Sequence, residues 1–551
     1  MKKSIRVLLA ILLGTVIVGV AYYVTLPPLN VFSTEFWTFL VTAVFAYGLP
    51  LTLALSVDGF GKDMFKNLKP GKVLIIVAAI PVAVLVVGGL LSSTFFNAQK
   101  YASVITVEKA EFTEDMPEAD VVSNISLMDT ASAAFLGNKE LGGLADMVSQ
   151  YEVSPDYNQI NYQRTPKKVA NLEYADFFRW FNNKETGIPG YVMVDPVGND
   201  AEYVKFEKPM IYVDSAYFHQ DLMRKLRFMF PTKIFSSVNF EIDDDGNPYY
   251  IVSCVKPRVG LFGAMDVSEV IIFDPCSGTV LDPDQPSYPV EKTPAWIDNV
   301  YDGDLACEKY DWHGILSGGF WNSVIGKRDC KQTTEGFGYI VRDDDVWYYT
   351  GVTSLGGDES NIGFIITNAR TGEYKYYSVS GAEEYGAMES AQGEVQHMGY
   401  TASFPSLINV EGEPTYIMVL KDASGYVKHC ALVNVKNPSI VAVGEDSTQQ
   451  AAKEAYIDEL IKNGVITKEE APAPEVDTKT AEVTVKKLQF LPVGGETMVY
   501  ITAEDGIVYR GSLAEDEGLI LVTEGQILSV TYTETEIEEI RAVVSWTEKV
   551  E

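Results

Sequence analysis

Three apolar stretches in the first 97 residues, 7–26, 36–57 and 73–91, constrain this chain more than any other feature. Each has about the 20 residues that a helix needs to cross the hydrocarbon of a bilayer. Lys2, Lys3 and Arg6 precede the first stretch, and Lys62, Lys66, Lys69 and Lys72 lie between the second and third. Residues 27–35 carry no lysine or arginine. The positive-inside bias therefore predicts a cytoplasmic N-terminus, three crossings of the cell membrane and an extracellular location for everything beyond about residue 97. Lys2-Lys3 followed by an apolar run also fits the start of a signal peptide. Tyr22-Tyr23 and Pro27-Pro28 stand where a small-residue cleavage site would be, so a retained anchor is expected. No ionisable residue interrupts a stretch, which argues against a pump or channel. Pro50 and Pro81 are tolerable as kinks, and Gly88-Gly89 offers a small face for packing against another helix.

The chain carries −33 overall. Residues 1–97 hold seven basic and three acidic groups, so the remainder is more acidic than the whole. Such a surface repels phosphate backbones and excludes nucleic acid as a partner. It favours cations or basic peptides, and it also keeps a surface soluble. The five cysteines, Cys254, Cys276, Cys307, Cys330 and Cys430, all follow the anchor, where disulfides can persist. Their number is odd, so at least one lacks a partner within the chain. Cys307 and Cys330 flank a Gly- and Trp-rich segment and form the favoured bridge. No Cys-x-x-Cys occurs, which weakens metal and redox readings.

The pattern divides the chain into a three-helix anchor (1–97), a mixed α/β segment (98–189), an α+β ectodomain (190–445), a helix with a Pro-rich linker (446–480) and a small β-domain (481–551). Helices are expected at 128–138, with Asp129 or Thr130 as cap, and at 139–151. Residues 174–182 place aromatics one helical turn apart, as a core-facing helix would. Further on, hairpins recur: 238–242 with 249–252 around Asp245-Gly246-Asn247-Pro248, and 406–410 with 415–419 around Glu411-Gly412-Glu413-Pro414. Four strands end in an Asx residue, Asp195, Asp274, Asn368 or Asn434, suited to accept backbone hydrogen bonds two residues on. A Ser447-capped helix, 448–462, should stop at Asn463-Gly464. Ala471-Pro472-Ala473-Pro474-Glu475 reads as a semi-rigid linker. Beyond it, strands at 487–491, 497–502, 508–512, 519–523, 527–533 and 540–545, with a turn at Asp505-Gly506, suggest a closed barrel similar in pattern to OB- or SH3-like barrels.

A short helix (220–228 or 383–391), a hairpin and a final strand ending in Asp-x-x-Ser/Thr-Gly resembles PepSY-type modules. Such modules are small extracytoplasmic α+β units of protease propeptides and membrane-anchored proteins. The resemblance covers 190–445, and Pro438 stands where the last copy wants glycine. Asp129-Thr130-Ala131-Ser132, Gly187-Ile188-Pro189-Gly190-Tyr191 and Phe320-Trp321-Asn322-Ser323 resemble a group of uncharacterised membrane-anchored proteins of Gram-positive bacteria. That resemblance implies no activity. The expected fold class is thus α+β: three transmembrane helices, an ectodomain of repeated helix-plus-antiparallel-hairpin modules and a C-terminal OB/SH3-like barrel.

Chemistry is sparse. His219, His313, His397 and His429 form no His-Glu-x-x-His or His-x-His pair, and no nucleophile elbow, Walker motif or dinucleotide fingerprint occurs. His313, in a Gly-, Trp- and Cys-rich segment with Asp302 and Asp304 close by, is the weak candidate site. Glu241-x-Asp243-x-Asp245-Gly246 mimics the start of a calcium loop, but Val252 stands where a bidentate glutamate is required. Arg342-Asp343-Asp344-Asp345 reads as a solvated turn. No catalytic, metal or cofactor residue is therefore assigned. The leading expectation is a membrane-anchored, non-enzymatic binding or scaffolding protein, with the lipid bilayer and an unknown protein or cell-envelope component as partners. The alternatives are an envelope enzyme or protease regulator, and an accessory or sensor subunit of a membrane complex.

Overall fold

The computed structural model describes residues 3–56, 69–116, 118–119, 127–197, 200–342, 345–356, 360–467, 479–493, 496–513, 517–534 and 540–548. Lys2, Lys62, Lys66, Gly198, Asp343, Asp344 and the 471–475 linker lie outside them. The protein divides into two compact units, Met1–Lys468 and Glu469–Glu551.

Three helices, α1 (Lys3–Thr25), α2 (Thr34–Ser56) and α3 (Lys69–Ser92), are long and apolar enough to cross a membrane. Twenty-three residues give about 35 Å of helix, enough for a hydrocarbon core of about 30 Å. Small residues let them pack. Gly14 receives the Tyr47 ring and Gly48 receives Leu74, so a Cβ at either would sit within 2.4 Å of its neighbour. The Thr15 hydroxyl meets the Tyr47 hydroxyl at 3.0 Å. Gly88 receives Phe262 from the ectodomain and Gly89 touches nothing, so this pair serves no helix–helix contact among the described residues.

Among the described residues four main sheets and a two-stranded ribbon, Ser360–Asn361 with Gly381–Ala382, follow α4 (Thr94–Ala102). The first joins Tyr151–Val153, Asn158–Tyr162, Thr165–Tyr174, Ile188–Asp195 and Asp200–Met210, behind the helix Thr130–Gly142. Asp129 caps that helix by accepting from Ser132 N at 2.8 Å. The second sheet is built on Phe235–Ile242, Pro248–Val259 and Gly263–Asp274 after the helix Leu222–Met229. The third runs from Lys331–Thr333 to Tyr374–Tyr377 after Gly303–Leu316, and Val107–Ala110 adds a parallel edge to it. The fourth, Thr401–Ala402 to Val441–Val443, follows Glu384–Glu394 and is covered by Gln449–Lys462. The protein is thus mixed α+β, with a largely β ectodomain.

Period-two side-chain alternation gives each sheet two packed faces. In Pro248–Val259, Tyr250 and Val252 join a core shared with Val169 and Val192 of the first sheet, while Ile251 packs toward Ile297 and Val300. In Gly363–Asn368, Phe364 and Ile366 meet Tyr416 and Met418 of the fourth sheet, while Ile365 packs with Tyr310. The Asx strand ends at 195, 274 and 368 form as expected, and Asn434 accepts one residue further on than expected. Asp195 accepts from Val197 N, Asp274 from Cys276 N, Asn368 from Arg370 N and Thr371 N, and Asn434 from Asn437 N.

One buried node ties three sheets together. The Glu241 carboxylate, fully buried in the second sheet, accepts from Asp298 N (3.0 Å), Asn299 N (2.8 Å) and Asn299 Nδ2 (2.9 Å). Asn299 Nδ2 also donates to Gln159 O of the first sheet, and the Tyr348 hydroxyl of the third, which donates to Tyr301 O at 3.0 Å, lies 3.4 Å from Asn299 Oδ1. Asp298 Oδ2 accepts from Asn161 N at 2.7 Å. Nearby, Lys309 of the Gly303–Leu316 helix and Asp266 form a buried ion pair at 2.5 Å, which Arg258 joins.

The ectodomain is clamped to the spans. Ser92 Oγ, at the end of α3, accepts from Leu261 N (2.8 Å) and Phe262 N (3.1 Å) in the second sheet's hairpin tip. Gly260 has φ +59°, and a Cβ there would lie 2.9 Å from the Ser92 Cα. Gly260→Val should therefore cost at least about 2 kcal/mol through strain and overlap, read as lost hydrogen-exchange protection at the Leu261 and Phe262 amides. Unchanged protection would contradict the clamp.

In the C-terminal unit, Lys479–Val493, Glu496–Ala503, Val508–Ser512, Ile540–Glu548 and Ile527–Glu534 pair in a closed ring around Val483, Val499, Ile501 and Leu528. Gly506, at φ +91°, makes the expected turn. The strand expected at 519–523 is instead a 3-10 turn, Glu517–Leu521. It places Leu519 and Val522 in the barrel core and leaves Ile520 and Leu521 exposed.

Candidate functional site, a polar cleft along an edge strand

Among the described residues the strand Asp200–Met210 pairs with no strand but Ile188–Asp195, so its other edge carries no neighbouring strand. Glycine at 190 and a register irregularity near Lys205 bend it. Opposite stands the turn Asp243–Asn247. The Asp243 carboxylate accepts from Asp245 N (3.0 Å) and Asn247 N (2.8 Å), and Gly246 supplies φ +81°. The Asp274 end of the second sheet closes the third side. There the Ser277 hydroxyl donates to Asp274 at 2.6 Å, and the Cys276 thiol donates to Lys208 O at 3.1 Å. These elements enclose a cleft of about 870 Å³.

Four carboxylates, Glu202, Glu207, Asp245 and Asp274, line it against two lysines, Lys205 and Lys208. Tyr162, Tyr191, Tyr203 and Tyr249 supply aromatic walls. The negative field is felt by its neighbours. Burial, then Asp243 and Asp274, pushes the Tyr249 hydroxyl up to about 12. Burial, then Asp243, Asp244, Asp245 and Glu202, raises that of Tyr162. Burial and Asp274 push the Cys276 thiol up to about 12, so it stays protonated and is a poor nucleophile. No histidine lines the cleft. The site is equipped to hold a polar or cationic chain, with an open backbone edge, aromatic faces and excess negative charge.

Two other cavities differ in character. A groove of about 670 Å³ between α2 and α3 is lined by apolar residues and opens where acyl chains would lie. A pocket of about 260 Å³ gathers Asp129, Tyr339 and Phe404. Behind it, fully buried Lys168 holds its ammonium 4.8 Å from the Tyr339 ring, without a hydrogen-bond partner among the described residues. Burial pulls it down to about 8.

The residues singled out in the sequence do not converge. Asp302 caps the Gly303–Leu316 helix by accepting from Asp304 N at 2.9 Å. His313 lies on the same helix eleven residues on, about 16 Å along the axis. Its Nδ1 is hydrogen-bonded to Ala102 O (2.9 Å), which fastens α4 to the helix. All five cysteines are free thiols, and the Cys307–Cys330 bridge is absent. Cys330 Sγ donates to Ile315 O, two turns or about 12 Å along the helix from Cys307, beyond disulfide reach. Glu241 turns into the buried node, so the acidic triplet Glu241, Asp243 and Asp245 does not form one ligand set. Among the described residues no cluster of three metal-binding side chains occurs. In the aromatic helix, which spans Phe177–Asn183, only Trp180 is buried; Phe178 and Phe181 are exposed.

The cleft's tyrosines and carboxylates were not legible as a site, because they come from strands and turns up to 114 positions apart, Tyr162 to Cys276. The one local signal was Glu202-Tyr203-Val204-Lys205-Phe206-Glu207-Lys208, a strand with charge on both faces, the mark of an edge. Comparison with protein-family models and with curated proteins finds no match to this chain.

Proposed function

We propose that this chain is a membrane-anchored extracytoplasmic binding protein that takes an extended, basic segment of a protein or cell-envelope partner along the Asp200–Met210 edge. The observation that carries this reading is the cleft itself: an unpaired strand edge facing aromatic rings and excess carboxylate. Strand addition supplies affinity through main-chain hydrogen bonds, and side-chain pockets supply selectivity. Carboxylates on the rim steer cationic partners. The orientation is supported by the lysines on one side of the spans. The contacts are compatible with it: the loop after α1 meets the ectodomain where Leu29 N donates to Pro231 O, and the end of α3 meets it where Ser92 Oγ accepts from Leu261 N. The helix-plus-sheet segments within 190–445 are read as PepSY-like modules, and the terminal ring as an OB- or SH3-like barrel offering a second recognition surface. Neither the protonated Cys276 thiol nor His313, bonded to a backbone carbonyl, favours the enzyme reading.

The test is binding of a short peptide alternating lysine and valine to the full chain in nanodiscs, against its glutamate–valine counterpart. The lysine peptide should bind more tightly. The double variant Glu202→Lys, Glu207→Lys should weaken it about tenfold or more, about 1.4 kcal/mol. Equal binding of both peptides, or indifference to the double variant, would sink this reading.

A further inference from the structure

Two exposed aromatic patches flank the ends of the spans on the ectodomain side. The first adjoins α1. Phe228 packs on Tyr22 (centroids 6.0 Å apart) and Tyr23 (6.5 Å) in its last turn, and the Arg224 guanidinium lies 4.3 Å from the Tyr23 ring. Phe178, Phe218 and Phe228 are 68%, 54% and 54% exposed. The second adjoins α3. α4 begins two residues past it, and Phe95 packs on Phe320 (5.0 Å) and Trp321 (5.9 Å). Trp321, Val324 and Ile325 are 63%, 53% and 74% exposed, and exposed Lys327 and Arg328 follow them. Between the patches, the tip Leu261–Phe262 reaches Gly88, four residues or about 6 Å below the end of α3.

We infer that the ectodomain lies on the membrane, with the Trp321–Ile325 turn and the Phe178–Phe218 edge embedded in the interfacial layer of the bilayer. Lipid is the occupant because both patches continue surfaces that already belong to the spans: Phe228 leans on α1, Phe95 on the turn beyond α3, and Phe262 on α3 itself. Large apolar side chains left in water forfeit about 25 cal/mol per Å² of area they could bury. Trp and Tyr rings settle at the headgroup level, and Phe, Leu and Ile beside them sink to the acyl boundary. Lys184, 4.4 Å from the Phe181 ring, together with Lys327 and Arg328, puts cations beside both patches of an otherwise acidic protein, where lipid phosphates would meet them. The spans and ectodomain then form one platform, held at three points. The cleft lies at the other end of the second sheet's hairpin, eleven residues or about 36 Å from its tip.

The test places a photo-crosslinking benzoylphenylalanine at Ile325, at Phe178 or, as control, at Leu281, which is also exposed but beside the cleft end of the second sheet. The full chain is reconstituted in vesicles of phosphatidylcholine and phosphatidylglycerol, and adducts are read by mass. Positions 325 and 178 should form lipid adducts at least about tenfold above position 281. Lipid adducts at background, or adducts only to protein, would overturn the inference. All three side chains are exposed, so the substitutions leave the fold intact, which circular dichroism checks.

Discussion

Glu241→Ala should destabilise the ectodomain by about 3–5 kcal/mol, the cost of removing one partner from a fully buried polar cluster. Three donors lose their acceptor at once: Asp298 N, Asn299 N and Asn299 Nδ2. Water reaches none of these groups easily, because Glu241, Asp298 and Asn299 are 0%, 2% and 4% exposed. The damage should spread, since Asn299 also holds Gln159 O and lies against Tyr348. Glu241→Gln should lose less, keeping one acceptor while turning an amide NH₂ toward a backbone N–H. The measurement is denaturant unfolding of the full chain in nanodiscs, with hydrogen exchange read at Asn161 and Asn299. A Glu241→Ala protein as stable as the parent would show that the node is not what joins the sheets.

The same cluster should cost the protein stability as pH rises above about 4, and Asp298→Asn should remove that part of the loss, while Asp214 and Asp311, each pushed by burial up to about 6, add their own. Burial first, then the neighbouring Glu241, holds the Asp298 carboxyl well above its ordinary value; burial raises Glu241 too. Two like charges so close cannot both ionise at low cost, so the folded pair keeps a proton that the unfolded chain has released. The sign follows from linkage. The folded state binds more protons than the unfolded one above the unfolded aspartate value of about 4, so stability falls by up to about 1.4 kcal/mol per pH unit until the raised value is passed. Below about 4 both states are protonated and the dependence vanishes. The amide that Asp298→Asn introduces would still offer an oxygen to Asn161 N, so the variant should be more stable than the parent near pH 8 and show a flatter profile. Asp115 works in the opposite sense. Arg342, Tyr377 and Lys375 hold its carboxyl well below the ordinary range, so its contribution is present at neutral pH and fades as acid protonates it. The two sets separate by window: Asp115 acts below about pH 4 and the node above it. Parallel profiles for parent and Asp298→Asn between pH 5 and 8 would refute the shared proton.

Elements governed by short-range rules were legible. Hydrocarbon thickness located all three spans to within a few residues. The Asx residues at 195, 274 and 368 made their turns, because a side-chain oxygen two residues from a backbone N–H needs no distant help, and Asn434 did the same with the N–H three residues on. Asp129 made its cap, and the helix Gln449–Lys462 began one residue late, with Thr448 in place of Ser447 as its cap. Where a residue's role depended on what packs against it, local pattern misled. Phe178 and Phe181 sit at core-like spacing, yet only Trp180 meets a core. Cys307 and Cys330 bracket a suggestive segment, yet helix geometry keeps them apart. Gly88 awaited a helix and received Phe262.

What the amino-acid order determined alone was the membrane anchor, the α+β class and the turns that end its strands, since these follow from periodicity and from bonds spanning a few residues. The tertiary structure alone decided which carboxyls are buried together, which strand edge stays open and which aromatics face outward. Those properties depend on groups far apart in the chain, as Asn161, Glu241 and Asp298 are, and only folding brings their fields and hydrogen bonds to bear on one another.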